Sequence, residues 1–294
     1  MVPGVGVIGL QQLGAGRWPM MVGKFERTQP PMPRALPRRI LQKLPAAWRA
    51  ELAGVVAEPV TGGMSGAEVF RLQTKPVSFL KFATGDEAET VRQEIARTVW
   101  LAQHGIHVVP ILRSRDHADA VAMQTQALPG VPADRCDWPK TRLLPVLARA
   151  LAGLHALPAA DCPFDESLAV RLARARQAVA RGEVDPSQFA SRNRGLTPQA
   201  ILARVIASPP QEDFVLAHGD ASLSNMIIAL DGAVGFIDCG HAGRADRYLD
   251  LAVIAAEIAE YFGRRAIKTF ADAYGEGRWN ARKAAFYADL YELF

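Results

Sequence analysis

The sequence has few cysteines and no long apolar run, and each absence excludes a class of protein. Its three cysteines, Cys136, Cys162 and Cys239, show no C-x-x-C spacing, so a disulfide framework is not expected and a reducing compartment is. No run of eighteen apolar residues exists, so we expect no membrane-spanning helix and no membrane partner. The apolar start lacks the basic n-region of a secretory signal. These absences favour a cytoplasmic protein.

Strong net charge is also absent, because the formal charge of +4 is concentrated at one end. Residues 1–50 hold eight Lys or Arg and one acidic residue, whereas residues 51–294 hold 26 basic and 29 acidic residues. We interpret residues 1–40 as a basic, Gly/Pro-rich and irregular leader. A basic tail can bind nucleic acid, but this one lacks interleaved aromatic residues, so no nucleic-acid partner is expected. Residues 4–9 match G-x-G-x-x-G, yet no strand precedes them, which excludes a dinucleotide site.

The rest of the chain divides into a β-rich part and a helical part. Between residues 41 and 127, strand patterns at 69–72, 77–82 and 121–123 surround a helical pattern at 86–103. After residue 128 the pattern is mainly helical, with three short apolar strands. The helical segments are 143–157, 168–181, 246–263 and 281–294, and the strands are 215–217, 226–228 and 234–237. The sequence therefore predicts an α+β protein with a small β-rich N-terminal lobe (41–127) and a larger, mainly helical C-terminal lobe (128–294).

The strongest chemical signal is the segment 218–225, His-Gly-Asp-Ala-Ser-Leu-Ser-Asn, followed by Asp238 directly after an apolar strand. In phosphoryl transfer an Asp accepts the proton of the attacking hydroxyl, and an Asn and a second Asp hold Mg²⁺. Asp220 is therefore the candidate base, and Asn225 and Asp238 are the candidate metal ligands. The alternative is that these are ordinary turn residues. His218 is a second candidate base, although we favour a role in orienting the loop by a hydrogen bond.

A second signal points to a nucleotide. The Gly-rich turn at residues 61–67 contains Gly63, Ser65 and Gly66, whose backbone could approach phosphates, although such turns are common and this one is not a P-loop. Lys81 ends a strand and Glu94 lies thirteen residues later on the following helix. A strand Lys paired with a helix Glu holds phosphates in kinase-like lobes. The alternative for Lys81 is an ordinary exposed lysine.

Several stretches resemble the aminoglycoside phosphotransferases, specifically the 3′-phosphotransferases that inactivate kanamycin and neomycin. They are residues 63–72, 162–164, 184–185, 235–240, 245–248 and the ending Glu292-Leu293-Phe294. The resemblance implies a two-lobed protein-kinase-like fold, a nucleotide in the cleft and Mg²⁺. ATP is the expected donor, with GTP as the alternative. The hinge at residues 123–128, with Gln124 and Gln126, would recognise the nucleobase through its backbone.

The same resemblance predicts an acceptor pocket. The antibiotic's ammonium groups would meet the carboxylates of Glu257, Glu260 and Glu292 and the terminal carboxylate of Phe294. Three departures stand out on this side of the site. His241 replaces an Arg near the reacting groups, and Tyr291 replaces an Asp. Arg192 and Arg194 occupy a loop that the family fills with acidic residues, and their charge would repel a cationic aminoglycoside.

The residues leave other functions open. A streptomycin 3″-kinase or another small-molecule kinase would keep the reaction and change the acceptor. A non-catalytic binding protein would keep only the fold, and His241 is its sole support. A metal hydrolase would leave the Gly-rich turn and the Lys81–Glu94 pair unexplained. The sequence does not distinguish a monomer from a dimer.

Overall fold

The structure is a computed structural model that describes residues 34–60, 66–117, 119–275 and 279–294. The predicted phosphate-turn residues Gly63 and Ser65 lie outside the described residues. Within these ranges the chain forms the two expected parts, an antiparallel sheet with packed helices and a mainly helical body. No helix in the described ranges is both long and apolar enough to cross a membrane.

The N-terminal part is built on a six-stranded antiparallel sheet in the order β1-β2-β3-β4-β6-β5. Apolar side chains from α1 and α2 cover one face of the sheet, and α3 covers the other. Its elements are β1 (Arg34–Ala35), α1 (Arg38–Lys43), α2 (Ala46–Leu52), β2 (Val56–Val60), β3 (Glu68–Leu72), β4 (Ser78–Thr84), α3 (Glu87–Gln103), β5 (Ile111–His117) and β6 (Ala120–Gln126).

Two of these elements correct the sequence prediction. Residues 34–40 were expected to belong to the irregular leader, but β1 pairs with β2 and α1 begins at Arg38. The physical reason is burial, since Leu36 and Ile40 are 3% and 0% exposed in the core beneath the sheet. Apolar burial of this kind offsets the entropy lost on ordering the chain.

Strand β4 places the lysine that the sequence singled out. Leu80 and Phe82 are 0% and 4% exposed and pack toward α1 and α2. Because successive side chains on a strand point to opposite faces, Lys81 points toward α3. It therefore reaches Glu94, which lies on the buried side of that helix.

The C-terminal part is a helical body with two small antiparallel sheets, β10-β9-β7 and β11-β8. Helix α4 packs on α8, and α7 packs on α9, around one continuous apolar core. The elements are β7 (Val131–Pro132), α4 (Lys140–His155), α5 (Leu168–Arg181), α6 (Pro198–Ala207), β8 (Phe214–Ala217), β9 (Met226–Ile228), β10 (Val234–Phe236), β11 (Gly243–Asp246), α7 (Tyr248–Phe262), α8 (Ala266–Tyr274) and α9 (Ala281–Tyr291).

The two parts are joined where the predicted site lies. The backbone N–H of Phe236 donates to His107 O at 2.8 Å, and Val109 N–H donates to Phe236 O at 3.2 Å. Helix α3 also packs against the 3-10 turn Cys239–His241. These contacts fix the segment that carries Asp238 against the N-terminal sheet and α3.

Candidate active site

Lys81 lies at the centre of a charged cluster between the two lobes. Its Nζ is 2.6 Å from Glu94 Oε2 and 2.9 Å from Asp238 Oδ1, and the lysine side chain is 13% exposed. Burial alone would lower the Lys81 pKa, but the two carboxylates outweigh burial and raise it. The ammonium in turn holds the Asp238 pKa below its usual value, against the raising effect of the surrounding protein. A fixed cation thus stands beside a carboxylate that is 53% exposed.

Asp238 has an unusual backbone conformation. Among the described residues it is the one non-glycine residue with positive φ, at φ 53° and ψ 50°. Aspartate tolerates this left-handed region better than most residues do, yet the conformation still costs about 1–3 kcal/mol. It ends β10 and turns the Asp238 side chain toward Lys81. Strained residues of this kind cluster at functional sites, which supports the assignment of Asp238.

Asp220 and Asn225 are joined by two hydrogen bonds. Asn225 Nδ2 donates to Asp220 O at 3.0 Å and to Asp220 Oδ2 at 2.9 Å. Within the described ranges no hydrogen bond to the amide oxygen of Asn225 is found, so this oxygen could accept from another donor or bind a cation. The backbone N–H of Ser222 also donates to Asp220 O, at 2.8 Å, which closes the turn. The predicted base and one predicted metal ligand are therefore fixed relative to each other.

Residues 218–225, which carry the predicted base and which we call the catalytic loop for that prediction, are anchored by Asp250, a residue that the sequence did not single out. Its side chain is fully buried and accepts the backbone N–H groups of His218 and Gly219, each at 2.7 Å, and His155 Nε2 at 2.9 Å. Burial would raise the Asp250 pKa, but the hydrogen bond and charge of His155 outweigh it, and the pKa is lowered. The available signal was a single acidic residue inside the apolar run 248–255, on the buried side of a helix.

His218 links the two loops that carry the predicted aspartates. Its Nε2 donates to Ile237 O at 2.9 Å, and its Nδ1 accepts from Asp220 N–H at 3.3 Å. Both ring nitrogens are therefore occupied by backbone partners. This arrangement supports the orienting role for His218 and leaves proton acceptance to Asp220.

Gly219 allows the catalytic loop to lie against the turn that follows Asp238. Its φ is +81°, and a Cβ at this position would be 2.1 Å from His241 O, so another residue would need a shift of the backbone. His241 itself faces a cationic environment. The nearby protein and the charges of Arg171, Arg174 and Arg97 lower its pKa, although the residue is exposed to solvent. The imidazole is therefore neutral at neutral pH and does not replace a guanidinium charge.

The cationic environment of His241 is centred on a buried carboxylate. Glu166, whose side chain is 0% exposed, lies 2.8 Å from Arg97 Nη2, 3.2 Å from Arg171 Nε and 2.6 Å from Arg174 Nη1. Arg171 also donates to Gly219 O at 2.8 Å, directly before Asp220. The Phe294 ring stacks against the Arg171 guanidinium, with 5.2 Å between Arg171 Cζ and the ring centroid. The arginine cluster thus connects the catalytic loop to the last residue of the chain.

Two of the predicted acceptor carboxylates lie on α7 beside the catalytic loop. Glu257 accepts a short hydrogen bond from the backbone N–H of Leu223, between Asp220 and Asn225 in the chain. Burial, with additional repulsion from Asp220, Asp134 and Glu260, raises the Glu257 pKa to about 7. Glu260 is exposed to solvent nearby. These carboxylates and Asp134 form an acidic wall, which we define as Asp134, Glu257 and Glu260.

The third predicted carboxylate, Glu292, lies in a different setting. Its side chain is 3% exposed and accepts from Arg192 Nη2 and Asn193 Nδ2, each at 2.8 Å. Asp289 is likewise bound to Arg192 at 3.0 Å and to Arg204 at 2.8 Å. We call this group of ion pairs the tail clasp. The cationic loop that was expected to repel a cationic acceptor is instead paired with the acidic tail.

Tyr291, between the two acids of the tail clasp, touches the predicted base. Its hydroxyl donates to Asp220 Oδ1 at 3.0 Å. Burial and the negative charge of Asp220 raise the Tyr291 pKa, so the phenol stays protonated. In the sequence, Tyr291 stands out only as a departure from the family that the chain resembles. No local pattern signals this contact, because the two residues are 71 positions apart.

The predicted hinge uses its side chains for structure. Gln124 is 4% exposed, donates to Ser78 Oγ at 2.9 Å and accepts from Arg113 Nε at 2.8 Å. The backbone N–H of Gln126 donates to Pro110 O at 2.9 Å. The Gln124 side chain is thus committed within the sheet.

Gly66, at the end of the Gly-rich turn, lies so close to Glu87 that a Cβ on Gly66 would be 2.8 Å from Glu87 Oε1.

Known proteins share this architecture. Residues 56–287 match the model of the phosphotransferase enzyme family. An aminoglycoside 3′-phosphotransferase of Streptomyces fradiae is 33% identical over 252 residues, which cover 80% of this chain and 94% of the relative.

Two solved structures extend the comparison. A type VIII aminoglycoside-3′-phosphotransferase is 34% identical with a TM-score of 0.77, over 84% of this chain and 97% of that one. A Streptomyces rimosus aminoglycoside phosphotransferase, solved in complex with ADP and streptomycin, is 32% identical with a TM-score of 0.73. The match covers 81% of this chain and 92% of that one. The expected two-lobed, kinase-like fold is thereby confirmed.

Proposed function

This chain belongs to the phosphotransferase enzyme family, and on that premise we propose that it transfers the γ-phosphate of ATP to the 3′-hydroxyl of kanamycin- and neomycin-type aminoglycosides. The single observation that carries the proposal is the geometry of Lys81, Asp220, Asn225 and Asp238. Asn225 Nδ2 donates to Asp220, and Lys81 binds Asp238. The two pairs lie on neighbouring segments, since Ile237 N–H donates to Asn225 O at 3.0 Å. Such a reaction would confer resistance to those antibiotics.

The donor side of the site fits a nucleotide and a divalent cation. Lys81 offers an ammonium for phosphate oxygens, and the Asp238 carboxylate and the Asn225 amide oxygen are hard oxygen ligands of the type that Mg²⁺ prefers. Among the described residues no cluster of three or more His, Cys, Asp or Glu side chains could hold a metal alone. A cation that keeps water and phosphate oxygens as further ligands suits this sparse set. When bound, Mg²⁺ would neutralise charge on the phosphates.

Asp220 is the group that we propose as the base. The acceptor hydroxyl would give its proton to Asp220 while its oxygen bonds to the γ-phosphorus, and the bond to the nucleoside diphosphate would break. Asn225 and the Asp250-anchored backbone already hold the carboxylate in place before any substrate binds. Preorganisation of this kind lowers the cost of reaching the reactive geometry.

The acidic wall supports a cationic acceptor. Asp134 and Glu260 lie near enough to add to the raised pKa of Glu257, and nothing in the described contacts of Glu257 pairs it with a cation. Ammonium groups of an aminosugar would form charge-assisted hydrogen bonds there. Because its pKa is about 7, Glu257 is only partly ionised at neutral pH, and an arriving ammonium group would favour the ionised form.

A streptomycin 3″-kinase is the second candidate, and the tail clasp favours it. The relative solved with streptomycin is about as similar to this chain as the 3′-phosphotransferases are. Because Arg192 and Arg204 already neutralise Asp289 and Glu292, the tail presents less free negative charge to an acceptor that carries many ammonium groups. Acceptor choice therefore depends on whether the tail carboxylates take part.

The decisive experiment combines purified protein, Mg²⁺ and ATP with kanamycin, neomycin or streptomycin, and identifies the product by mass spectrometry. Phosphate on the 3′-hydroxyl of kanamycin supports the proposal, and phosphate on streptomycin alone supports the second candidate. Asp220→Asn keeps the shape of the side chain and removes the base, so we expect turnover to fall about 10²–10⁴-fold. Absence of any phosphorylated product would reject both candidates.

A further inference from the structure

The oxygens of Asp220 are both engaged in this structure, one by the catalytic loop and one by the chain's last helix. Asn225 Nδ2 holds Oδ2 at 2.9 Å, and the Tyr291 hydroxyl donates to Oδ1 at 3.0 Å. A hydroxyl that donates to the base is what an acceptor would also present at the start of phosphoryl transfer. Tyr291 therefore occupies the place of the acceptor hydroxyl at this oxygen.

The position of Tyr291 is fixed by its neighbours. It ends α9, which begins with the Asn280 side chain accepting Lys283 N–H at 2.9 Å. The tail clasp then binds both sides of Tyr291 to Arg192. Asp289 lies two residues before Tyr291, and Glu292 directly follows it. Leu290 and Leu293 are each 0% exposed in the core. The phenol is thus held at Asp220 by a well-packed segment.

The Tyr291 phenol can replace the acceptor hydroxyl as a hydrogen-bond donor to Asp220, but it is poorly suited to react as an acceptor itself. Its raised pKa keeps the proton on the oxygen, so the hydroxyl donates to Asp220 and is a poor nucleophile. The side chain is only partly buried, and Glu257 is among the charges that act on it, so the phenol borders the acidic wall. An acceptor bound at that wall could take over the hydrogen bond to Asp220.

We propose that the Tyr291 hydroxyl guards the base, withholding Asp220 Oδ1 from water until an acceptor hydroxyl replaces the phenol. The inference rests on the proposed role of Asp220 as the base. Water that reached Asp220 would give it a proton while its oxygen bonded to the γ-phosphorus, and the nucleoside diphosphate and inorganic phosphate would leave. Occupying the base with a non-reactive hydroxyl suppresses this wasteful hydrolysis and makes binding of the true acceptor a competition with Tyr291.

The test compares Tyr291→Phe with wild type in two assays: Mg²⁺-dependent ATP hydrolysis without acceptor, and the acceptor KM. A hydrogen bond to a charged group is worth a factor of about 10 to 100. We expect acceptor-free hydrolysis to rise by about tenfold or more and the acceptor KM to fall by a similar factor. The ATP KM should stay the same, because the donor side is untouched.

Tyr287→Phe is the matched control. Tyr287 lies on the same helix, is 2% exposed, and its hydroxyl has no hydrogen-bond partner among the described residues. Loss of the Tyr287 hydroxyl should therefore leave both ATP hydrolysis and the acceptor KM unchanged. A double variant, Asp220→Asn with Tyr291→Phe, should lose the extra hydrolysis, since the guard matters only if the base is present.

Three results would overturn the proposal. The first is unchanged hydrolysis and unchanged acceptor KM in Tyr291→Phe. The second is a fall in kcat without a rise in hydrolysis, which would make Tyr291 a positioning residue. The third is phosphate on Tyr291 itself after incubation with ATP and Mg²⁺, found by peptide mass spectrometry, which would make the phenol an acceptor. If hydrolysis rises but no aminoglycoside is phosphorylated, the guard stands and the proposed acceptor fails.

Discussion

Lys81 Nζ lies 2.9 Å from Asp238 Oδ1, although the two residues are 157 positions apart in the chain. The contact joins the sheet of one lobe to the segment of the other that carries the predicted metal ligand Asp238. Glu94 on α3 binds the same ammonium group of Lys81 at 2.6 Å, and the Glu94 side chain is 6% exposed. The donor half of the site therefore depends on a charge balance across the lobe junction.

Replacing Lys81 with Met should damage both activity and stability. Activity should fall because the phosphate-binding cation is lost, and we expect kcat/KM for ATP to drop by about 10²-fold or more. Stability should fall because Glu94 is left buried without its partner, which costs about 3–5 kcal/mol for a buried pair. Thermal unfolding and steady-state kinetics measure the two effects.

A double variant separates these effects. Lys81→Met with Glu94→Gln removes the unpaired buried charge, so the melting temperature should recover while activity stays low. If the single variant is as stable as wild type, the buried Glu94 carboxylate does not depend on Lys81 for its stability. If the double variant regains activity, Lys81 has no role in binding phosphate.

Asp250→Asn tests the anchor beneath the catalytic loop. Asparagine has one acceptor oxygen, so either His218 N–H or Gly219 N–H would face an amide NH₂ instead of an oxygen. A buried donor left unsatisfied costs about 1–3 kcal/mol, which should appear as a lower midpoint in urea unfolding. The loop should also lose its fixed geometry, so kcat should fall more than the ATP KM changes. An unchanged kcat in a destabilised variant would show that Asp250 serves stability alone.

The sequence predicted the donor side of this site better than the acceptor side, and the reason is physical. Lys81 lies on an alternating strand and Glu94 on an amphipathic helix, so local periodicity indicates which way each side chain points. The segments around Asp220 and Asp238 follow short apolar strands, which places them on loops. The structure brings these residues together, while their catalytic and metal-binding roles stay predictions.

The acceptor side depends on long-range packing that no local pattern encodes. Tyr291 meets Asp220, and Arg192 meets Glu292, only because α9 folds back over the loop before α6. Charge alone suggested that Arg192 would repel a cationic acceptor, because the sequence does not show which carboxylates pair with it. Likewise, β1 and α1 were missed because Leu36 and Ile40 lie in a stretch rich in proline, where turn signals conceal short buried elements.

Glu257 should make acceptor binding depend on pH. Its pKa is raised to about 7 by burial, so the carboxylate ionises between about pH 6 and pH 8. Ammonium groups bind the ionised form, so the acceptor KM should fall as pH rises through this window. Glu257→Gln keeps an oxygen for Leu223 N–H and removes the charge, so part of that pH dependence should vanish. Identical KM profiles for the variant and wild type would exclude Glu257 from acceptor binding.

The same shift has a consequence for stability. A carboxyl whose folded pKa is about 7 and whose ordinary value is 4.5 binds more protons in the folded state between these two values. Stability therefore decreases as pH rises across that window, by on the order of 3 kcal/mol. Glu257→Gln should flatten this part of the stability profile, as measured by chemical unfolding at a series of pH values.

The tail clasp offers the sharpest test of acceptor choice. Arg192→Ala removes a guanidinium that binds both Asp289 and Glu292, and leaves Glu292 with Asn193 as its remaining partner among the described contacts. The added negative charge should favour polycationic acceptors, so we expect the kanamycin KM to fall about fivefold relative to wild type. Because the Arg192 side chain is 40% exposed, the loss of stability should be modest, about 2–4 °C in melting temperature.

Arg194→Ala is the control for general charge, because Arg194 is exposed on the same loop but takes no part in the tail clasp. Both variants remove one positive charge, so an equal fall in KM would point to long-range electrostatics and not to release of Glu292. A lower melting temperature with an unchanged KM would make the clasp a purely structural device. A selective fall for kanamycin over streptomycin in Arg192→Ala alone would show that internal pairing of the tail carboxylates sets the preference between the two acceptors.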